Sequence, residues 1–158
     1  MTAEILGGTS DISAGQLIDR TGVLLGLQFP AGKAVDQLSA QAEKVKPFPV
    51  KVENCTFSLS GMENKAQQMV QKGESPETVA RFALETVARA VVKATRQALE
   101  QYPGLPVLCS GGVASNSLLR QVMERECGAI FAQPRFSTDN AMGTAILTWR
   151  ALERERAQ

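Results

Sequence analysis

Residues 106–120, PVLCSGGVASNSLLR, and residues 137–145, STDNAMGTA, decide the fold of this chain. The first stretch reads as a short buried strand at 107–109, a glycine turn, and a helix at 114–125. The second puts an acid–amide pair, Asp139 and Asn140, at the mouth of a last helix running from about 140 to 155. Each gives an end-on backbone geometry suited to a nucleotide or an anion, because the open N–H groups of a helix's first turn point at whatever lies above it. Gly111 and Gly112 permit backbone angles and a close approach that a side chain would forbid.

Outward from these stretches, the clearest helix spans 76–102. Ser75 is a good N-cap and Pro76 suits the first turn. Val79, Phe82, Ala83, Val87, Ala90, Val91, Ala94 and Ala98 then form an apolar stripe whose small residues imply close packing. Pro103-Gly104 ends it, and a strand at 129–132 follows the 114–125 helix. Upstream, 3–8 reads as a truncated strand, 13–26 as a helix stopped by Gly26, and 33–42 as a short helix. Two alternating runs across 48–59, split at Glu53-Asn54, suggest a hairpin, and 61–71 reads as a helix closed by Gly73. The alternation of helix and strand in the second half predicts an α/β fold: a mixed sheet with helices on its faces. The tail, 152–158, reads as a charged, solvated helix end.

The 158 residues suit one domain, and a net charge of +1 gives no basic field that would by itself argue for nucleic acid. No apolar run is long enough for a bilayer and no leader pattern is present, so a cytoplasmic protein with no membrane partner is expected. Cys55, Cys109 and Cys127 are widely spaced with no C-x-x-C pair, which fits reduced thiols. The absence of histidine excludes a Ser-His-acid triad, a Cys-His dyad and a histidine-bearing zinc site within the chain.

Each candidate residue carries two readings. Asn116 can offer donor and acceptor to a base or sugar, or Ser115 or Asn116 can simply cap the helix after the glycine turn. Asp139 can supply an oxygen to a divalent metal or a phosphate-bound cation, or can cap a helix through its dipole. Asp19 and Asp36 can face a cleft and accept from ribose hydroxyls, or Asp19 and Arg20 can be solvated or paired with neighbours.

Five stretches, in order, carry a resemblance: DISAGQLIDR at 11–20, LLGLQFPAG at 24–32, TFSLSG at 56–61, SGGVASNSLLR at 110–120 and STDNAMGTA at 137–145. Together they resemble the tRNA threonylcarbamoyladenosine transferase family, whose older name is O-sialoglycoprotein endopeptidase, or glycoprotease. The resemblance implies one ribonuclease-H-like half of an actin/Hsp70-type ATPase fold, with ATP or an adenylate in the cleft between two halves. It implies transfer of a threonylcarbamoyl group to an adenosine of tRNA. It also implies iron or zinc, held by two histidines of an H-x-x-x-H helix and by the aspartate of T-D-N. Matched by position, Asp139 is that aspartate, Asn116 contacts the nucleoside, and Asp19 and Gly32 line the nucleoside pocket with Gly111 and Gly112. Asp36 falls where an acid contacts the ribose.

The chain departs from the family's pattern at Gln16, where an acid is usual, and at Ala31 and Lys33, where P-G-G-P becomes P-A-G-K. It carries no H-x-x-x-H helix, so 1–158 reads as a single C-terminal domain of a divergent member or paralogue, and MTAEILGG as a cut boundary entering a strand. Three functions follow. The chain is the nucleotide-binding half of the transferase, inactive alone, with no catalytic residue of its own and the metal bound only together with an N-terminal half. Alternatively it is a non-catalytic scaffold that pairs with an active paralogue, a reading that Gln16 and Ala31 favour. A metalloprotease, as in the older name, fits least. The expected partners are the N-terminal half or paralogous subunits, a second copy in a homodimer, and tRNA only through the full-length protein.

Overall fold

A computed structural model describes residues 3–43, 45–46, 48–133, 137 and 141–156, with only the backbone at 141–142. Its axis is the helix whose start is written in Ser75-Pro76. The Ser75 hydroxyl accepts the Thr78 N–H at 3.2 Å and Pro76 occupies the first turn, where its missing N–H costs nothing. The helix runs Pro76–Gln101, about 39 Å at 1.5 Å per residue. It is buried on more than one face: Val79, Ala80, Phe82, Ala83, Leu84, Val87, Ala88, Ala90 and Val92 all lie inside. Val92, and not Val91, is the fully buried member of its last turns, because neighbours pack around the helix and not along one stripe. Glu85 is also buried, held by Arg81 one turn earlier at 2.9 Å.

The other helices pack against this one. Helix α1, Ala14–Leu24, starts in a capping box: Gln16 N–H donates to the Ser13 hydroxyl, and Ser13 N–H donates to Gln16 Oε1 at 2.8 Å. It ends before Gly26, whose φ of +79° supplies the left-handed exit. Helix α2, Gly32–Ser39, crosses α1 at Gly22, where any side chain would overlap the Ala31 methyl. Helix α3 is Ser60–Gln71, and α4 is the long Pro76–Gln101 helix. Then come α5, Ser117–Cys127, and α6, Ala141–Arg156. Leu17, Ile18, Val35, Leu59, Leu84, Leu119 and Met123 form the shared core of α1, α2, α4 and α5.

The strands are short and fall into two sheets among the described residues, where one was expected. In the first, β1 (Gly8–Thr9) pairs parallel with β3 (Thr56–Phe57), and β3 pairs antiparallel with β2 (Val52–Glu53). The hairpin turn sits at Asn54-Cys55, one residue later than expected, with φ values of 48° and 59°. Gln97 of α4 ties the hairpin down, donating to the Val52 carbonyl oxygen and accepting from Cys55 N–H. The strand expected over 3–8 is confined to Gly8–Thr9, and Ile5 stands exposed.

In the second sheet, β4 (Leu108–Cys109) pairs parallel with β5 (Ile130–Phe131), Leu108 opposite Ile130 and Cys109 opposite Phe131. The expected burial of 107–109 is therefore half right. Alternation along the strand turns Cys109 and Phe131 to the core and leaves Leu108 and Ile130 on an uncovered face. No helix of the described residues is long and apolar enough to cross a membrane.

Candidate functional site

Parallel strands tend to gather ligand-binding loops at their C-terminal ends, and β4 and β5 do so for the two glycine- and acid-bearing stretches. After Cys109 the chain turns through Gly111, at φ +102°, into a 3-10 turn at Val113–Ser115 and then α5. This corrects the expected 114–125 helix: Asn116 breaks it, adopting extended angles as the N-cap, with Oδ1 accepting Leu119 N–H at 3.0 Å. Gly111 N–H donates to the Ser137 hydroxyl at 2.8 Å, and that hydroxyl donates back to the Gly111 carbonyl oxygen. The two stretches thus meet at Gly111 and Ser137. Asp139, with Thr138 and Asn140, lies outside the described residues.

Above this turn is a cavity of about 670 Å³, walled by α1, the start of α2 and the 112–116 turn. Asp19, Gly32, Asp36, Gly112 and Asn116 all line it, together with Ile18, Lys33 and Ser115. Gly111 does not. It sits one residue behind the wall, and its N–H is already committed to Ser137. Of the lining residues, Ile18, Lys33 and Ser115 were not among the sequence candidates for the cavity; Lys33 was visible only as a charge after P-A-G.

The polar groups around the cavity differ in what they have left to give. One oxygen of Asp19 accepts the Ala31 N–H at 2.8 Å, and the other has no hydrogen bond among the described residues. Asp36 is more committed: its two oxygens accept the Ser117 N–H at 3.0 Å and the Ser117 hydroxyl at 2.8 Å, joining α2 to the first turn of α5. Asn116 is 8% exposed, and while Oδ1 caps α5 its Nδ2 has no partner. The Ser115 hydroxyl is likewise buried and unpartnered. Buried polar groups without partners are few in folded proteins and invite a bound group. Space is present too. A Cβ built on Gly32 or on Gly112 would meet nothing within 4 Å.

The departures at Gln16 and Ala31 leave this cavity intact. Gln16 accepts in the capping box as a glutamate would, and it does not line the cavity. Ala31 takes helical angles, and its methyl is received by the bare Gly22. Arg20 points away, paired with Glu63 at 2.9 Å.

Burial pushes the thiols of Cys109 and Cys127 up, which keeps them protonated and poor nucleophiles. All three cysteines are free. No group of three or more metal-ligating side chains occurs among the described residues, and the sequence has no histidine. An iron or zinc centre does not fit the residues described here.

Comparison with known proteins adds to this geometry. The family model for tRNA N6-adenosine threonylcarbamoyltransferase matches residues 1–146. A Thermus thermophilus protein of that name is 33% identical over 154 residues, covering 95% of this chain and 48% of the relative. Its namesakes from Staphylococcus carnosus and Streptococcus pneumoniae are 32% and 34% identical, covering 89% and 87% of this chain and 45% of each relative. The chain spans about half the length of the curated relatives it matches.

Proposed function

This chain belongs to the tRNA N6-adenosine threonylcarbamoyltransferase family, and from that premise we propose that its cavity is the nucleoside pocket of such a transferase. The observation that carries the reading is the unpartnered Nδ2 of Asn116, buried in the wall of a cavity that also carries a spare oxygen of Asp19 and two bare glycines. An amide donor, a carboxylate acceptor and backbone open to close approach suit the edge of a purine and the hydroxyls of a ribose. The ligand is ATP or an adenylate, and the full-length protein uses it to move a threonylcarbamoyl group to adenosine in tRNA. The chain's own contribution is to bind and orient: Asp19 and Asn116 fix the nucleoside, and Asp36 keeps α2 and α5 in register around it. Orientation of this kind is a large lever on rate without any protein nucleophile. Iron or zinc, bound through Asp139 and residues beyond this chain, would supply Lewis-acid chemistry. Alone, the chain transfers nothing and hydrolyses no ATP.

The test separates binding from folding. Asn116→Asp keeps an oxygen to cap α5 but removes the Nδ2 donor. Adenosine titrated by calorimetry binds the wild type, and the variant loses roughly tenfold in affinity, the worth of about 1.4 kcal/mol, with an unchanged melting curve. A wild-type chain that ignores adenosine sinks the reading and leaves the non-catalytic scaffold in its place.

A further inference from the structure

The mouth of the same cavity carries a charge that a nucleoside does not use. Lys33, the second residue of α2, is exposed and lines the cavity, and none of the ion pairs among the described residues involves it. The nearest acid on its own helix, Asp36, has both oxygens bonded to Ser117. The helix end beneath Lys33 is open as well. No side chain caps α2, its first internal bond is Val35 N–H to the Ala31 carbonyl oxygen, and Ala31 N–H is taken by Asp19. The N–H groups of Gly32, Lys33 and Ala34 precede that first bond and are left facing outward.

We propose that Lys33 and the uncapped start of α2 form an anion subsite at the cavity mouth, which holds a phosphoryl group of a nucleotide. The inference rests on the nucleoside reading above, and it names the charged part of that ligand. The positive end of the helix dipole and a mobile ammonium act in the same direction on an anion. The second, independent sign of a ligand is Asn116, more than nine-tenths buried with its Nδ2 unpartnered in the same cavity. The carboxylates of Asp19 and Asp36 oppose an anion deeper in, so the phosphoryl group stays at the mouth beside Lys33 and the hydroxyl-bearing sugar faces the acids.

The test compares adenosine, AMP and inorganic phosphate, each titrated by calorimetry at low ionic strength into the wild-type chain and into Lys33→Met. Met keeps the apolar stem and removes the charge at an exposed position, and matching circular dichroism and melting curves verify the fold. AMP binds the wild type roughly 5–10-fold more tightly than adenosine, and the advantage falls below about twofold in Lys33→Met, whose affinity for adenosine is unchanged. Equal affinity of the wild type for AMP and adenosine overturns the subsite, as does a preference for AMP that survives Lys33→Met. AMP or phosphate bound in a Lys33-dependent way, with adenosine ignored, keeps the subsite and removes the nucleoside reading. A chain that binds none of the three loses both.

Discussion

Asn116 shows how one side chain resolves two readings that look exclusive in a sequence. A cap and a ligand contact use opposite ends of the amide: Oδ1 turns to the Leu119 N–H, and Nδ2 is left in the cavity wall. Residue type and spacing could bring Asn116 into view, but only the turn at Val113–Ser115 decides which end faces where. Gly32 poses the complementary question. It begins α2 with open space where a Cβ would stand, so the fold itself has no need of a glycine there. Gly32→Leu is therefore expected to leave the melting temperature unchanged, or to raise it through a gain of up to ~1 kcal/mol in helix propensity. The leucine side chain enters the space the nucleoside needs, and adenosine affinity drops below detection. Wild-type affinity in a well-folded Gly32→Leu chain would place the ligand elsewhere. The same reasoning separates Asp19 from Asp36, which the sequence could not distinguish: one keeps an oxygen in reserve, the other spends both on Ser117.

At the scale of elements, local signals were readable and tertiary ones were not. The start of α4 lies in Ser75-Pro76, the exit of α1 in Gly26 and the close of α3 near Gly73, because each cap is a matter of neighbouring residues. The N-terminus of α3 is different. Its cap comes from Asp11, nearly fifty residues upstream, which accepts from the Ser58 hydroxyl at 2.6 Å, the Leu59 N–H at 2.8 Å and the Ser60 N–H at 3.1 Å. Burial pushes the Asp11 carboxyl up, but these donors outweigh it and hold the group well below the usual carboxylate range. A carboxylate whose folded pKa lies below its unfolded value contributes stability that is complete above the unfolded value of 3.8 and is lost as pH falls through the folded one. The melting temperature is expected to decline as pH drops below about 4. Asp11→Asn lowers it by roughly 2–4 °C at neutral pH, the worth of a cap of ~1 kcal/mol, and flattens the acid decline. An Asp11→Asn chain that melts like the wild type at pH 7 and below would show that α3 does not depend on this carboxylate.

For the whole molecule, the hydrophobic pattern told which residues are apolar but not which faces are covered. Leu108 and Ile130 read as core strand residues and stand 75% and 57% exposed, because the β4–β5 sheet is packed on one side only. Helix α6 goes further: its described side chains are exposed along nearly the whole length, Ile146, Leu147, Trp149 and Leu152 among them. Helical spacing sets Ala145, Trp149 and Leu152 on one face with Ile146 beside them, and charged Arg150, Glu153 and Arg154 elsewhere around the turn. A contiguous apolar stripe of this kind on an isolated chain favours self-association, and a two-fold pairing of α6 with its copy covers it with the least rearrangement. Trp149 is the chain's one tryptophan, so it reports directly on that interface. As concentration rises from micromolar toward millimolar, light scattering is expected to move from the mass of one chain to that of two, while tryptophan emission shifts to shorter wavelength as the indole leaves water. Trp149→Glu restores the single-chain mass without changing adenosine affinity, since α6 does not line the cavity. A chain that stays monomeric at high concentration, with emission fixed at the wavelength of a hydrated indole, would rule out α6 as a self-pairing surface.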